Sequence, residues 1–270
     1  MRIYYFPGKW WGIALLILVA LAALPLIPWI GERICEVTVL LSGRIIPIYS
    51  VDMTEKKVAF SFDATWGAEN TLKLLDILDR HKVKTTFFLA GFWVNKYPEM
   101  VREINRRGHE LGNHSWTHPH MNSLNPEQIT KEIMITHQKL SELGGSKPVL
   151  FRPPFGEYSN KVIEAADRCG YKTIMWSVDS LDWQNLSSDR MIQRVMRRIH
   201  PGAIILFHNA GPDTPQAVDE LFGILIKGGY RIVPISDLLI KGEYYTDHTG
   251  KMKSKPLPAE PESKGGQQGQ

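Results

Sequence analysis

Short apolar segments alternate with longer amphipathic ones between Lys57 and Ile240. Apolar runs rich in β-branched and aromatic side chains are typical of buried strands, and the amphipathic runs between them are typical of helices. The predicted strands are 57–62, 85–90, 109–114, 149–152, 172–178, 203–208 and 230–235. This alternation predicts an α/β fold in which helices wrap a parallel sheet, either as a small incomplete barrel or as a doubly wound open sheet.

The beginning of the chain has a different pattern. Residues 10–31 carry no charge and are mostly Leu, Ile, Ala and Val. A helix formed by this segment would be long enough to cross a bilayer. Arg2 and Lys9 precede this segment, so the positive-inside rule places residues 1–9 in the cytoplasm and the body outside it. The pattern favours an uncleaved single-pass membrane anchor over a cleaved signal peptide, which would make the body a secreted protein.

Composition sets the remaining boundaries. Residues 32–54 are expected to form a stem, 55–245 the folded domain, and 246–270 a disordered tail rich in Lys, Pro, Gly and Gln. The net charge of +4 comes from the two ends, because residues 10–250 are balanced. A neutral body argues against a nucleic-acid partner, and two cysteines are too few for a disulfide framework.

Polar side chains lie at or just after the ends of five of the predicted strands. They are Asp63, His114, His118, Arg152, Asp179, Asp182 and His208. Each alone has a structural explanation, since an aspartate after a strand commonly forms a turn or caps a helix. The carboxyl ends of parallel strands meet at one edge of a sheet, where α/β proteins place their chemistry. The convergence of these residues therefore predicts a functional site.

Two of these residues have the spacing of metal ligands. His114 and His118 are four positions apart, so both imidazoles can face one divalent cation such as zinc. A catalytic zinc normally takes three protein ligands and a water, and this pair supplies two. Because Ser115 follows His114, the sequence lacks the glutamate of an H-E-x-x-H protease.

Five segments, in this order and spacing, resemble the motifs of the NodB-homology polysaccharide deacetylases, carbohydrate esterase family 4. They are SFDATWG (61–67), HSWTH (114–118), RPPFG (152–156), DSLDW (179–183) and ILFH (205–208). The resemblance spans residues 57–240 and is strongest to the sporulation-associated PdaB-type branch. It implies a distorted, incomplete (β/α)7 barrel and a metal-dependent hydrolase that removes N-acetyl groups from amino sugars. The implied partner is peptidoglycan or another N-acetylated glycan.

The resemblance also implies roles for individual residues. Asp63 corresponds to the catalytic base, and Arg152 to the arginine that orients it. His208 corresponds to the catalytic acid, and Asp182 to the aspartate that tunes this histidine. The metal ligands correspond to His114 and His118, with zinc as the expected metal. The metal would polarise the acetamide carbonyl and acidify water, Asp63 would take the water proton, and His208 would protonate the amine.

Several aromatic residues near the strand ends are candidates for substrate binding. The resemblance implies that the backbone N–H of Phe155 is an oxyanion donor and that Trp183 lines the pocket. Trp66 is a further candidate to stack on a sugar ring, with a place in the core as the alternative. Trp176, inside a predicted strand, is expected in the core.

The first motif departs from the family at one position. The family carries a second acidic residue there, which is its third metal ligand, whereas this chain has Ala64. Either a water takes its place, or another side chain such as Asn70, Asp179 or His120 does, or metal binding has been lost. Two functions therefore remain: an exported deacetylase, favoured because both proton-transfer pairs are present, and a glycan-binding pseudoenzyme.

Overall fold

A parallel β-sheet organises the computed structural model, which describes residues 43–145 and 147–255. Its strands and those of a smaller sheet are β1 (Ser50–Val51), β2 (Lys57–Ala64), β3 (Thr86–Leu89), β4 (Glu110–Asn113), β5 (Leu150–Phe151), β6 (Lys172–Thr173), β7 (Val178–Asp179), β8 (Ile204–His208), β9 (Arg231–Ile232), β10 (Tyr244–Thr246) and β11 (Lys251–Ser254). The main sheet has the order β6-β5-β4-β3-β2-β8-β7, with β9 beside the start of β2. All of its strand pairs are parallel, which confirms the predicted α/β class.

Helices connect these strands. They are α1 (Thr71–Arg80), α2 (Gly91–Lys96), α3 (Pro98–Arg106), α4 (Pro126–Gly144), α5 (Asn160–Arg168), α6 (Ser188–Met196), α7 (Thr214–Lys227) and α8 (Ile235–Leu238). The longest, α4, begins with a capping box in which Asn125 and Gln128 satisfy each other's backbone N–H groups. Its C-cap is Gly145, whose positive φ of 65° closes the helix without the steric cost of a side chain.

Strand β2 is an interior strand of the main sheet and its longest strand. It lies between β3 and β8, and residues 58–64 are buried. Burial on both faces explains why the segment before Asp63 is apolar except at Ser61, whose hydroxyl donates to the Ile205 carbonyl. Phe60 and Phe62 stack on Phe207 and Phe87 of the neighbouring strands. This packing fixes the strand whose last residues enter the candidate site.

The predicted strand 172–178 is two strands, β6 and β7, separated by residues 174–177. The interruption occurs because the backbone of Ile48, which lies far earlier in the chain, pairs with this segment. Ile48 donates its N–H to the carbonyl of Thr173 and accepts from the N–H of Met175. Its neighbour Ser50 forms an isolated bridge with Ala203, just before β8. One segment thus links the edge strand β6 to the residue that precedes β8, and the main sheet curls into an incomplete barrel.

The expected stem and tail both contribute ordered strands, which corrects the boundaries 32–54, 55–245 and 246–270. Strand β1 pairs in parallel with β11, and β11 pairs in antiparallel with β10. In the segment Lys251-Met252-Lys253, the methionine is fully buried while both lysines reach solvent. The tail therefore contains a strand with the period-2 alternation of a half-buried sheet.

The predicted membrane anchor lies outside the described part of the chain, as do residues 1–9 and 256–270. Among residues 43–145 and 147–255, no helix combines the length and the apolar character needed to cross a membrane.

Replacement of Met252 by alanine tests the small sheet. Met252 packs in an apolar cluster with Ile48 and Val51, so the variant is expected to lose about 2–5 kcal/mol of unfolding free energy. Met134→Ala on helix α4 is the matched control, because Met134 is 40% exposed and its truncation should change stability by less than about 0.5 kcal/mol. Urea unfolding measures both. Equal stability of the two variants would show that β11 does not contribute to the core.

Candidate active site

The carboxyl ends of the parallel strands surround a cavity of about 700 Å³. Asp63 and His208 stand opposite each other in the register of β2 and β8. His114 follows β4, Arg152 follows β5, and Asp182 begins a 3-10 turn after β7. The structure therefore brings together the side chains that the sequence predicted. The lining includes Asp63, Trp66, His114, His118, Phe155, Asp182, Trp183 and His208, while Arg152 lies directly behind Asp63.

Asp63 and Arg152 form a buried ion pair. The arginine Nη1 donates to Asp63 Oδ1 at 2.7 Å, and the two side chains are 0% and 5% exposed. Burial opposes ionisation of Asp63, but the positive charge of Arg152, with smaller contributions from His114 and His208, holds its pKa below the ordinary value. Arg152 also stacks on the Phe88 ring, with its guanidinium carbon 4.1 Å from the ring centroid. Asp63 is therefore a fixed carboxylate suited to accepting a proton.

The second pair is His208 with Asp182. Asp182 Oδ1 lies 2.7 Å from His208 Nδ1, and Oδ2 accepts the backbone N–H of His208 at 2.7 Å. Burial alone would lower the pKa of His208, but its hydrogen bond and charge interaction with Asp182 outweigh burial and raise it. The Thr214 hydroxyl donates to Asp182 Oδ2 at 2.8 Å and fixes the carboxylate. The imidazole Nε2 is left to face the cavity, where a protonated histidine can act as an acid.

The two histidines of the second motif lie close together in a tightly held loop. His114 Nδ1 donates to the Arg152 carbonyl at 2.7 Å, and its Nε2 lies 3.6 Å from Asp63 Oδ2. The ring centroids of His114 and His118 are 4.9 Å apart. Burial, followed by the neighbouring His114, lowers the pKa of His118 to about 3. Burial lowers the pKa of His114 as well, so both imidazoles are neutral at pH 7, which is the form that binds a metal.

The donor set does not fit the three-ligand metal site that the family resemblance implies. In the described part of the chain, no group of three or more His, Cys, Asp or Glu side chains is arranged to hold a metal ion. Ala64 packs in the apolar core. The candidates for its replacement are engaged elsewhere: Asn70 donates to the Gly211 carbonyl, and His120 pairs with Glu157. Asp179 Oδ1 accepts the backbone N–H of Leu181.

Three exposed aromatic side chains form the rim of the cavity. Trp66, Phe155 and Trp183 are 62%, 54% and 58% exposed, respectively. Trp66 and Phe155 both contact His118 edge-on, at centroid distances of 5.1 and 4.4 Å. Trp66 is therefore on the rim and not in the core. Exposed aromatic faces around a cavity that ionisable side chains line are suited to stacking on sugar rings.

Sequence reasoning missed two residues that hold the site together. Glu132, on helix α4, accepts the backbone N–H groups of Trp116 and Thr117 at 2.9 and 2.7 Å. Its carboxylate thereby fixes the loop in which Ser115 and His118 have positive φ. Thr214, which holds Asp182, is the other. Glu132 is one of several acidic residues on its helix and Thr214 resembles an ordinary helix start, so neither carried a signal in the sequence.

Comparison with known proteins gives a consistent family. The family model described as polysaccharide deacetylase matches residues 50–174. The peptidoglycan-N-acetylmuramic acid deacetylase PdaA of Bacillus subtilis is 32% identical, over 72% of this chain and 76% of PdaA. A peptidoglycan-N-acetylglucosamine deacetylase of Bacillus cereus is 35% identical, over 71% of this chain and 92% of that protein.

Two further relatives are not described as active deacetylases. The uncharacterized protein YlxY of Bacillus subtilis is 36% identical, and this chain spans 60% of its length. The solved structure of BA3943 from Bacillus anthracis, described as a CE4 family pseudoenzyme, has a TM-score of 0.69 at 36% identity, covering 76% of this chain and 69% of that chain. A BA3943 mutant is described as having restored enzymatic activity. The curved parallel sheet, the convergence of the motif residues and these relatives agree with one another. The chain belongs to the polysaccharide deacetylase family, carbohydrate esterase family 4.

Proposed function

We propose that the chain is a hydrolase that removes N-acetyl groups from amino sugars of peptidoglycan. One observation carries this proposal: two complete proton-transfer pairs face one cavity, Asp63 with Arg152 and His208 with Asp182. Hydrolysis of an amide needs a group that takes a proton from water and another that gives one to the departing nitrogen. A protein that only binds glycans has no use for two such pairs. The peptidoglycan deacetylases among its relatives supply the substrate class.

The residues present support the following proton transfers. Asp63, kept ionised by Arg152, accepts a proton from a water that attacks the acetyl carbonyl carbon. His208, kept protonated by Asp182, donates to the sugar nitrogen as the C–N bond breaks. The products are acetate and the free amino sugar. The exposed rings of Trp66 and Trp183 hold the sugar over the cavity, with the Phe155 backbone N–H as the proposed donor to the carbonyl oxygen.

Measurement of free amine tests the proposal directly. Wild-type protein is incubated with chitooligosaccharides and muropeptides, with and without zinc, cobalt, manganese or nickel, and released amine and acetate are quantified. We expect release that His208→Ala abolishes. Lack of release from all substrates under every metal condition would overturn the hydrolase proposal.

A glycan-binding pseudoenzyme is the second candidate. It is favoured by Ala64, since the described histidines lack a third partner that could complete a metal site. It predicts binding of the same glycans without release of amine. The two candidates are therefore separated by measuring binding and product formation on the same samples.

We also propose a location and a setting for this activity. The apolar segment 10–31 and the preceding Arg2 and Lys9 support a membrane anchor with the body outside the cytoplasm, and the resemblance to the PdaB-type branch supports a role in spore formation. Membrane fractionation and protease accessibility in intact cells test the first. Spore morphology in a deletion strain tests the second.

The pH dependence of the reaction is expected to follow His208. Because the acid must be protonated, activity should fall as pH rises through the elevated pKa of His208, while Asp63 remains ionised down to a pH below the ordinary carboxyl value of 3.8. Asp182→Asn removes the charge that raises this pKa, so the alkaline limit should move down by about one unit or more.

Histidine NMR titration measures this pKa without requiring turnover. Asp189→Asn on helix α6 is the control, because Asp189 is exposed and lies outside the cavity lining. An unchanged His208 pKa in Asp182→Asn would contradict the assigned role of Asp182.

A further inference from the structure

A second cavity adjoins the candidate active site. It has a volume of about 410 Å³ and is lined by Tyr49, Ser50, Trp176, Ser177, His200, Thr249 and Lys251. Trp176 lines both cavities, so its indole forms a shared wall. The sequence placed Trp176 in the core, but the side chain is half-buried because the insertion of Ile48 interrupts the strand around it. The second cavity therefore forms at the place where Ile48 interrupts the strand.

The lining of this second cavity has the composition of a polar ligand site. Tyr49 and Trp176 supply aromatic surface, and Thr249 and Ser50 supply hydroxyls. His200 Nδ1 lies 2.8 Å from the Pro201 carbonyl, which can only accept, so Nδ1 carries the proton and Nε2 can accept a hydrogen bond. The buried Ser177 Oγ has no hydrogen-bond partner among residues 43–145 and 147–255. Because this oxygen is closed off from solvent, it adds to the polar character of the cavity wall but is not itself a contact for a ligand.

Lys251 gives the second cavity its charge. Its Nζ lies 4.0 Å from Asp52, at the limit of an ion pair, and both side chains are exposed by 40% or more. Such a pair contributes little and leaves the ammonium able to meet another anion. The other lysines of β11 and its end differ: Lys253 lies 2.8 Å from Asp247, and Lys255 lies 3.0 Å from Glu243.

We infer that the second cavity binds a carboxylate carried by the glycan whose N-acetyl sugar occupies the active site, with Lys251 as the recognising cation and Trp176 as the surface between the two positions. This inference rests on the proposed function for the identity of the glycan. In peptidoglycan a carboxylate has two alternative sources: the lactyl carboxyl of an N-acetylmuramic acid without a stem peptide, and the carboxylates of a stem peptide, which is joined through that lactyl carboxyl as an amide. Both place an anion a short distance from an N-acetyl group, whereas chitooligosaccharides contain no carboxylate.

Binding of three probes to the full chain tests the inference. The probes are chitotetraose, the disaccharide of N-acetylglucosamine and N-acetylmuramic acid with a free lactyl group, and the same disaccharide bearing a stem tetrapeptide. Lys251→Met is expected to weaken binding of at least one carboxylate probe about tenfold and to leave chitotetraose binding unchanged. Loss with the free-lactyl probe alone assigns the lactyl carboxylate, because the stem peptide converts this group into an amide. Loss with the peptide probe alone assigns a carboxylate of the stem peptide, and loss with both shows that the subsite accepts either anion.

Controls keep this result interpretable. Lys255→Met removes a lysine of the same segment that lies outside the cavity, so it should bind all three probes as the wild type does. Thr249→Val changes a cavity hydroxyl without changing charge and should weaken the carboxylate probes by less than Lys251→Met. Thermal unfolding of each variant separates a binding effect from a folding defect.

The possible outcomes distinguish the two proposals. If Lys251→Met binds every probe as the wild type does, or weakens all three equally, the carboxylate subsite is overturned. If the carboxylate probes lose affinity but mass spectrometry of the same samples finds no deacetylated product, the subsite stands and the hydrolase proposal fails. If no probe binds the wild type, the carboxylate subsite is overturned, and the hydrolase proposal is decided separately by amine release.

Discussion

Replacement of Asp63 by asparagine is expected to destabilise the protein by about 3–5 kcal/mol and to abolish amine release. The change keeps the shape of the side chain but leaves the guanidinium of Arg152, which is 0% exposed, without its counter-charge. Removal of one partner from a buried ion pair costs this much because an uncompensated charge remains in a low-dielectric interior. Urea unfolding of the two proteins at pH 7 measures the difference.

The pH dependence of that difference has a definite sign. The pKa of Asp63 is lower in the folded protein than its ordinary value of 3.8, so its ionised form stabilises the fold above that value. We therefore expect the gap between wild type and Asp63→Asn to be fully present at neutral pH. It should shrink as pH falls below 3.8 towards the folded pKa.

Two comparisons make the cause specific. Glu99→Gln makes the same chemical change in an exposed ion pair with Arg102 and should cost less than about 1 kcal/mol. The double variant Asp63→Asn with Arg152→Met removes both charges and should recover part of the lost stability. A single Asp63→Asn variant that unfolds at the wild-type urea concentration would refute the importance of this pair.

Introduction of a carboxylate at position 64 is expected to create a zinc site. Ala64 is the last residue of β2, directly after Asp63, and the chain leaves the sheet there. A unit pair of opposite charges 4 Å apart is worth about 4 kcal/mol at an effective dielectric of 20, and a divalent ion gains more. Even after the cost of desolvation, we expect Ala64→Asp to bind zinc at least about a hundredfold more tightly than the wild type, which is roughly 2.7 kcal/mol.

Stability reports this binding independently of activity. Ala64 is 1% exposed in the apolar core, so a carboxylate there should destabilise the metal-free protein. Zinc at about 100 times its dissociation constant should then raise the unfolding free energy by about 2.7 kcal/mol. Amine release should increase in the same samples.

Charge and ligand identity are separated by two further variants. Ala64→Asn has the same size without the charge and should bind zinc more weakly than Ala64→Asp. Ala64→Asp combined with His114→Ala and His118→Ala should lose the zinc effect altogether. If Ala64→Asp binds zinc no better than the wild type, a carboxylate at position 64 does not reach the metal beside the two histidines. The absence of an acidic residue at this position would then not explain the lack of a complete metal site.

The candidate catalytic residues were predictable because they depend on a rule of topology. Asp63, His114, Arg152, Asp182 and His208 all lie at or shortly after the ends of predicted strands, and in a parallel sheet those ends meet at one edge. The apolar runs before them survive in the structure because burial on both faces requires such runs.

Features that depend on distant partners were not predictable in the same way. Strand 172–178 is interrupted because Ile48 hydrogen-bonds to Thr173 and Met175, more than 100 positions later. The tail segment around Met252 becomes a strand because β1 offers it a partner some 200 positions earlier. Local composition says nothing about either contact, although the alternation around Met252 was already present in the sequence.

The sequence by itself determined the fold class, the edge of the sheet at which the site lies and the types of side chain gathered there, because periodicity and residue chemistry are local properties. Only the tertiary structure decided which charges are paired, which rings are exposed and where the second cavity forms. Ion pairing and pKa shifts depend on distances of a few ångströms and on burial. Those quantities arise when strands far apart in the chain are packed side by side.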